Sequence, residues 1–357
     1  MKTSVFLESH NLKNRAGGLG TFNYELIKAI FEEDINDLQI TLNIKDVEKL
    51  KAEFGSIFQY KKYTSLQRHA LFRPRNKCDI WHSLNQNTKI EPLHKPKKAY
   101  ILTVHDVNFA EEQATDSNHK ANRLFRDKLK RADAITYISE FAKKQTHQYF
   151  DVPNVIETVI YNGNPIRELI MNNDFVSNVS MDKPFFFSLG DFIERKNFIS
   201  IVKMMEKIED FNLIIAGNND KAYGDEVRNL IAENKLGDRV FLTGKIDEKA
   251  KQFYLKNCVA FLFPSIREGF GLPPIEAMRF EKPVFLSNKT SLPEIGGDAA
   301  FYWEDFDPTY MKDFVFEKLN YFENNEALHK QKLLERSLYF DWKKAASEYL
   351  ELYRSFT

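Results

Sequence analysis

The chain has 357 residues, of which 43% are hydrophobic and 29% are charged. That length suits two domains, and that composition excludes a chain that is disordered throughout. Lys and Arg together number 51, as do Asp and Glu, so the formal net charge is zero. This balance excludes a uniformly basic protein that coats nucleic acid. The two cysteines, Cys78 and Cys258, are far apart in the chain, so we expect neither a disulfide framework nor a cysteine zinc site.

We find no targeting or membrane-spanning segment in the sequence. The apolar stretch after Lys2 is too short for the core of a signal peptide. No run approaches the roughly 18 apolar residues that are needed to cross a bilayer. We therefore expect a cytoplasmic protein, whose only membrane contact would be peripheral, at the inner face of the plasma membrane.

Short apolar runs alternate with amphipathic stretches through residues 1–165, and this alternation is typical of a parallel sheet flanked by helices. The predicted strands are Ser4–Leu7, Leu38–Leu42, Asp79–His82, Ala99–Val104, Ala134–Tyr137 and Val155–Ile160. The predicted helices are Thr21–Phe31, Arg123–Arg131 and Glu140–Tyr149. A glycine-rich loop, 16–20, separates the first strand from the first helix.

Residues 166–182 contain several Asn and Ser residues without a clear period, and we interpret them as a linker. The alternation then restarts over 183–340. The predicted strands are Pro184–Leu189, Asn212–Ala216, Val240–Leu242, Val259–Phe263 and Pro283–Leu286. The predicted helices are Asn197–Ile208, Asp225–Asn234, Asp247–Asn257, Pro274–Phe280, Pro308–Phe322 and Ser337–Arg354. Two successive α/β halves predict two Rossmann-like doubly wound domains that face a central cleft.

Positive charge is concentrated in the segment 45–98, which holds 13 basic and 5 acidic residues. One interpretation is a solvated basic face. The other, given equal weight, is attraction to anionic lipid headgroups, with interleaved aromatic and aliphatic side chains entering the interface. Those side chains are Phe58, Tyr60, Tyr63, Leu71 and Phe72. A nucleic-acid partner is not expected, because no recognised nucleic-acid module accompanies the charge.

The most informative motif runs from Glu268 to Glu276, after the strand predicted at Val259–Phe263. Its glycines allow close approach of a ligand to the backbone, and Pro273-Pro274 is typical of a helix start, where N–H groups can bind an anion such as a diphosphate. Glu276 is then expected in the first helical turn, where its carboxylate can accept hydrogen bonds from sugar hydroxyls. The alternative is a plain turn in which the acid only complements the helix dipole.

Three other loops follow predicted strands. Arg195 and Lys196 offer a planar fork and a point charge, a pairing suited to phosphate oxygens. Gly17 and Gly18 lie in a glycine-rich loop that lacks the spacing of the dinucleotide-binding and P-loop motifs. A plain tight turn is therefore as good an interpretation as a ligand-binding loop. His105, followed by Asp106, ends a strand where it is either structural or able to reach a substrate.

Together these motifs resemble the family-4 glycosyltransferases of the GT-B fold, in the same order and over nearly the whole chain. The Glu-x7-Glu string from Glu268 to Glu276 is the hallmark of that family. The other matches are Gly17-Gly18, His105-Asp106, "AITYISEF" over 134–141, "VIYNG" over 159–163, Arg195-Lys196-Asn197, Gly217, Gly244 and "TSLPEIGGDAA" over 290–300.

The resemblance implies a role for each domain and for individual residues. It assigns acceptor binding to 1–165, binding of a nucleotide sugar to 183–340, and a helix that crosses back to the first domain to 341–357. It implies that His105, Lys196 and Glu268 are catalytic. It implies that the donor is bound by Gly17, Gly18, Arg195, Lys196, Gly244, Lys245, Ile246, Glu268, Gly269, Phe270, Gly271, Leu272 and Glu276.

The implied reaction is the transfer of a hexose-type sugar with retention of the anomeric configuration, from GDP-mannose in preference to a UDP- or dTDP-sugar. The implied acceptor is a lipid-linked or lipopolysaccharide O-antigen glycan. We identify no metal-dependent donor site of the Asp-x-Asp type, so we expect neither a metal nor another cofactor. The alternatives are a sugar-nucleotide epimerase of the same fold and a non-catalytic subunit that binds a sugar nucleotide.

Overall fold

The structure is a computed structural model that describes residues 2–15, 17–112, 119–171 and 174–357. It divides into two compact units. Unit 1 comprises Met1–Pro165 and Asp341–Thr357, and unit 2 comprises Ile166–Phe340. The segment 166–182, predicted to be a linker, therefore groups with unit 2. Ala16, in the predicted glycine-rich loop, and residues 172–173, in the predicted linker, lie outside the described residues.

Unit 1 is built on a seven-stranded parallel sheet with the strand order β3-β2-β1-β4-β5-β6-β7. The strands are β1 (Thr3–Glu8), β2 (Leu38–Ile44), β3 (Gln59–Lys62), β4 (Ile80–Ser83), β5 (Ala99–Val104), β6 (Ala134–Tyr137) and β7 (Ile156–Val159). Its helices are α1 (Gly18–Phe31), α2 (Val47–Phe54), α3 (Asn108–Glu112), α4 (Lys120–Leu129), α5 (Glu140–Tyr149) and α13 (Trp342–Arg354). The central strands are apolar runs buried on both faces, as a helix-covered parallel sheet requires.

A chain of buried hydroxyl and imidazole groups fixes the C-terminal helix α13 to the sheet of unit 1. The hydroxyl of Tyr353 lies 2.7 Å from Nδ1 of His82, whose Nε2 lies 2.7 Å from the hydroxyl of Thr103. Arg354 adds a two-pronged ion pair with Asp37 near the surface. Hydrogen bonds satisfy these buried polar groups and so define one position of the helix on the sheet.

Unit 2 is built on a six-stranded parallel sheet with the order β10-β9-β8-β11-β12-β13. The strands are β8 (Phe185–Leu189), β9 (Asn212–Ala216), β10 (Val240–Gly244), β11 (Ala260–Phe263), β12 (Val284–Ser287) and β13 (Phe301–Trp303). The helices are α6 (Phe198–Met205), α7 (Ala222–Glu233), α8 (Glu248–Asn257), α9 (Leu272–Met278), α10 (Leu292–Gly296), α11 (Pro308–Asn324) and α12 (Glu326–Tyr339). The prediction of two parallel α/β sheets is confirmed.

Several predicted elements differ from the structure. The first helix begins at Gly18, so only Gly17 of the two glycines precedes it. The single helix predicted over 337–354 is wrong, because the chain is extended at Phe340 and the carboxylate of Asp341 caps a new helix by accepting the N–H of Lys343. The sequence analysis also did not predict α2, α3, α10, α12, β3 and β13. In the part of the chain that is described, no helix has the length and apolarity needed to cross a membrane.

Candidate functional site

The strand order of unit 2 brings two sequence-distant loops to one place. Strands β8 and β11 are hydrogen-bonded neighbours, although β9 and β10 lie between them in sequence. Such a reversal of strand order opens a crevice at the carboxyl ends of the strands, and α/β sheets bind ligands there. The loop after β8 carries Arg195 and Lys196, and the loop after β11 carries Glu268.

Glu268 is the centre of a charge cluster in this crevice. Its Oε1 atom lies 2.5 Å from Nζ of Lys196, and its Oε2 atom lies 2.8 Å from the guanidinium of Arg195. The hydroxyl of Ser265 donates a third hydrogen bond, 2.6 Å long, to Oε1. Glu268 and Lys196 are buried, whereas Arg195 is partly exposed. The cluster therefore has two cations and one carboxylate, a net positive charge at the end of the sheet.

Two opposing effects set the pKa of Glu268. Burial alone would raise the pKa of the carboxyl group, because it disfavours the charged form. The charges of Lys196 and Arg195 and the hydrogen bonds that the carboxylate accepts outweigh burial and lower the pKa below its usual range. Glu268 is thus ionised at neutral pH, and the three groups act as a charged unit.

Glycines allow the loops at this edge of the sheet to pack closely. A Cβ atom on Gly190 would lie 3.2 Å from Cε of Lys196, so the lysine stem lies against that backbone. Gly217 has a φ of 145°, and a Cβ atom there would lie 1.8 Å from the carbonyl oxygen of Gly190. The Gly217 N–H donates to the carbonyl of Gly244, the last residue of β10. A side chain at Gly217 would therefore force the ends of β8 and β9 apart.

Glu276 forms a second ion pair. It is buried, and its Oε1 atom lies 2.7 Å from Nζ of Lys251 on α8, which also contacts Glu248 at 2.9 Å. These two carboxylates raise the pKa of Lys251 although burial opposes the shift. The prediction that Glu276 lies in the first turn of its helix is wrong, because α9 begins at Leu272 and places Glu276 in the second turn.

The backbone between the two glutamates is held by α10 and the turn before it. Ser291 donates hydrogen bonds to the carbonyls of Glu268 and Phe270, at 3.0 and 2.8 Å. Gly271, with a φ of 118°, turns the chain into α9 at a conformation that a side chain rarely adopts. This segment comprises the predicted donor-binding residues Gly269, Phe270, Gly271 and Leu272. Phe270 is itself buried and packs its ring against Phe340.

Lys245 and Ile246 lie in the short loop between Gly244 and α8. Lys245 is exposed and Ile246 is half-buried. Helix α8, which follows this loop directly, carries Lys251, the lysine that contacts Glu276.

His105 lies in unit 1, directly after β5. Its Nε2 atom lies 2.9 Å from the carbonyl oxygen of Leu84, and its backbone N–H donates to the side-chain oxygen of Gln86. Burial lowers the pKa of His105 to about 4, so the imidazole is neutral at pH 7 and its Nε2–H is the donor to the carbonyl. The edge of the imidazole packs against Phe22 of α1, with ring centroids 4.6 Å apart.

Gly17 and Gly18 form the start of α1. Gly17 is the N-cap in extended conformation, and Gly18 is the first helical residue, one turn before Phe22. A Cβ atom on Gly18 would meet nothing within 4 Å, whereas one on Gly17 would lie 3.0 Å from the Asn14 amide. The beginning of α1 therefore belongs to the same region of unit 1 as His105.

The structure brings Arg195, Lys196 and Glu268 into direct contact and pairs Glu276 with Lys251. The sequence analysis did not identify four further residues of the site, namely Lys251, Ser265, Thr290 and Ser291. Thr290 accepts the backbone N–H of Glu268 at 3.0 Å. The string "TSLPEIGGDAA" over 290–300 carried a signal for Thr290 and Ser291, but Lys251 lies on a helix without any motif. No group of three or more His, Cys, Asp and Glu side chains in the described residues is arranged to hold a metal ion.

Residues 170–333 match the family model of glycosyl transferases group 1. The match covers just under half of the chain, lies wholly within unit 2 and contains Arg195, Lys196, Glu268 and Glu276. Among curated relatives, the O-antigen chain mannosyltransferase RfbU of Salmonella typhimurium is 26% identical over 204 residues. That alignment spans 56% of this chain and 55% of RfbU, about half the length of each.

Solved structures share the fold over almost the whole chain. The sucrose-phosphate synthase of Thermosynechococcus elongatus is 19% identical with a TM-score of 0.75, and covers 99% of both chains. The Anabaena protein HepE, in complex with UDP-glucose, is 14% identical with a TM-score of 0.71, and covers 99% of this chain and 100% of its own. At these identities the likeness shows the fold, and it confirms the predicted GT-B fold class.

The charge cluster predicts a specific dependence of stability on pH. Glu268→Gln leaves Lys196 and Arg195 buried or half-buried without a counter-charge, and we expect unfolding free energy to fall by about 3 kcal/mol at pH 7. Because the folded pKa of Glu268 is lowered, its contribution is complete above the ordinary carboxyl pKa and is lost as the pH falls through the folded value. The difference between wild type and variant in urea unfolding should therefore shrink on acidification.

Asp298→Asn serves as the control, because Asp298 and Lys332 form an exposed pair. That substitution should lower the free energy of unfolding by at most about 1 kcal/mol. A Glu268→Gln variant as stable as Asp298→Asn at pH 7 would contradict the assignment of a buried, ionised cluster.

Proposed function

We propose that the chain is a glycosyltransferase of family 4 that moves a hexose-type sugar from a nucleoside diphosphate to an acceptor hydroxyl with retention of configuration. The cluster of Arg195, Lys196 and Glu268 at the strand-order reversal of unit 2 is the observation that carries this proposal. It combines two cations suited to a diphosphate with a carboxylate beside them, inside the region that matches the family model.

Charge development on the leaving group explains why these residue types are needed. The bond between the anomeric carbon and the β-phosphate oxygen breaks, and the electron pair goes to that oxygen. Arg195 supplies a planar fork and Lys196 a point charge, which stabilise the growing negative charge without reorganisation. We propose that these side chains take the role that a divalent cation plays elsewhere, so that the reaction needs no metal or other cofactor.

The environment of Glu268 favours direct transfer over a covalent glycosyl-enzyme. Charged hydrogen bonds from Lys196 and Arg195 engage both oxygens of Glu268 and lower the nucleophilicity of the carboxylate. We therefore infer that the acceptor oxygen attacks the anomeric carbon from the side of the leaving group. The acceptor proton then passes to the departing phosphate oxygen, and Glu268 orients the two cations.

We further propose that the donor is GDP-mannose and that the acceptor is a lipid-linked or O-antigen glycan. The similarity to RfbU, named as an O-antigen chain mannosyltransferase, supports the choice of mannose and of a surface glycan. The fold shared with HepE, which was crystallised with UDP-glucose, supports a nucleotide sugar as donor. We propose that Glu276 accepts hydrogen bonds from the ribose hydroxyls and that His105 contacts the transferred sugar.

Turnover of GDP-mannose, with UDP- and dTDP-sugars in parallel, tests the proposal. Lys196→Ala and Glu268→Ala should each reduce transfer or slow donor hydrolysis by about 100-fold or more, because the first removes a cation at the leaving group and the second removes the carboxylate that orients both cations. Lys332→Ala, at an exposed ion pair, is the control and should retain wild-type turnover. EDTA should have no effect. Wild-type rates in both cluster variants would overturn the site assignment.

Lys251 offers a test of the ribose contact. Lys251→Met removes the cation that holds Glu276, so we expect the KM for the nucleotide sugar to rise about tenfold with a much smaller change in kcat. Lys251→Arg should restore much of the affinity. Lys249→Met, two residues away at an exposed pair with Asp174, is the matched control. Equal KM values in the two methionine variants, at equal melting temperatures, would rule out this role.

We also propose peripheral contact with an anionic membrane through the basic region 45–98. Leu71 is 81% exposed, and Leu66 and Phe72 are about half exposed. They lie in two short 3-10 helices beside Arg68 and Arg73. An apolar tip flanked by cations can enter the headgroup layer while its charges bind anionic lipid.

Sedimentation with vesicles tests this contact. Replacing Leu71 and Phe72 together by Ser should release the protein from vesicles of phosphatidylcholine and phosphatidylglycerol, and high salt should do the same to the wild type. Leu328 and Leu338, more than half exposed in unit 2, provide a matched double substitution that should leave binding unchanged. Equal binding by both double variants would contradict the proposal.

A further inference from the structure

A cavity of about 650 Å³ lies in unit 1 where β2 ends and α2 begins. Its volume is in the range of pockets that hold small ligands. Three segments that are separate in sequence line it: the 3-10 helix after β1, the β2–α2 turn, and the last residue of β3. None of the motifs found in the sequence includes this cavity.

The cavity is strongly cationic. Five of its side chains are basic and two are acidic, namely Lys13, Arg15, Lys45, Lys49, Lys62, Asp46 and Glu48. Arg15 is paired with Glu53 at 3.0 Å. Among the described residues, by contrast, no carboxylate lies within ion-pair distance of Lys45, Lys49 or Lys62. The cavity lining therefore carries an excess of positive charge.

The position of the cavity in the fold is one where ligands bind. Strands β1 and β2 are parallel neighbours, and both end at the edge that faces the cavity. Open α/β sheets bind ligands beyond the carboxyl ends of their strands. Asp46 is already engaged there, because its carboxylate accepts the N–H of Lys49 as the cap of α2. Two carboxylates offset only part of the charge of five basic side chains.

We propose that this cavity binds a phosphate or diphosphate group of the acceptor, so that the acceptor is a phosphorylated compound. Several flexible ammonium groups along the lining of one cavity suit phosphate oxygens, which accept hydrogen bonds from many directions. This inference rests on the proposed glycosyltransferase function, because it specifies the chemical class of that enzyme's acceptor. The phosphate belongs either to a lipid headgroup or to a water-soluble glycan.

Lysine footprinting on the full chain tests the proposal. The acetylation rate of each lysine is measured by mass spectrometry with and without inorganic pyrophosphate. We expect severalfold protection of Lys49 and Lys62 and unchanged rates at Lys51 and Lys61, their neighbours on α2 and β3 that do not line the cavity. Residues two apart on a helix, or adjacent on a strand, point to different sides. Equal effects on all four lysines would overturn the proposal.

Matched charge variants give a second readout. The double variant Lys49→Gln, Lys62→Gln should weaken binding of a phosphorylated sugar, mannose 6-phosphate, by about tenfold. Lys51→Gln, Lys61→Gln has the same net charge and should bind as the wild type does. Equal loss in the two double variants would show a general effect of charge and would overturn the proposal.

Two footprinting arms distinguish the source of the phosphate. One uses mannose 6-phosphate, and the other uses phosphatidylcholine vesicles with and without phosphatidic acid. Protection of Lys49 and Lys62 that leaves Lys51 and Lys61 unchanged, in either arm, supports the proposal and names the source. The absence of such selective protection in both arms overturns the proposal. Binding of GDP to the full chain, followed by calorimetry, reports separately on the proposed donor site. Cavity protection without nucleotide binding would reject the glycosyltransferase proposal and leave a phosphate site.

Discussion

The bridge that the Glu268 carboxylate makes between Lys196 and Arg195 is the interaction on which the site of unit 2 depends. It joins the loop after β8 to the loop after β11 across the point where the strand order reverses. Gly217 lets the ends of β8 and β9 approach closely, and the Lys196 stem lies against the backbone of Gly190. Ser265 and Thr290 then fix the side chain and backbone of Glu268.

Such a cluster is a costly way to hold two loops together. Burying charged groups carries a desolvation penalty that apolar residues of similar volume would avoid. The penalty is compatible with a functional role, since a preorganised pair of cations is already directed at the place where negative charge develops. Lys251 and Glu276 repeat the pattern on a neighbouring helix pair, with a buried carboxylate held by one lysine. Both arrangements hold a buried carboxylate in a fixed orientation.

Much of the fold follows from the sequence, because buried parallel strands are short apolar runs between helical periods. The elements that it missed have identifiable reasons. Strand β3 has the sequence Gln-Tyr-Lys-Lys and is half-exposed or exposed throughout, so it lacks an apolar signal. Helix α2 lies in the same charged segment, and its buried residues are Leu50 and Phe54. This is too few to give a clear helical period in the sequence. The break between α12 and α13 at Phe340 depends on the cap that Asp341 provides. The periodic spacing of apolar residues does not reveal such a cap.

Some features of the candidate site could likewise be predicted from the sequence, and others could not. The motifs around Arg195 and Glu268 are visible in the sequence, but their contact depends on the strand order, which the sequence does not encode locally. Lys251 was missed because a single lysine on an amphipathic helix resembles any solvated lysine. The excess of basic residues in 45–98 was visible in the sequence. That some of these residues line the same cavity as Lys13 follows only from the pairing of β1 with β2.

A crystal structure of the protein with bound GDP tests the central claim most directly. The account predicts diphosphate oxygens within hydrogen-bond distance of Nζ of Lys196 and the guanidinium of Arg195, and ribose hydroxyls at the carboxylate of Glu276. A nucleotide bound elsewhere on the chain, with its phosphates away from both cations, would contradict the account.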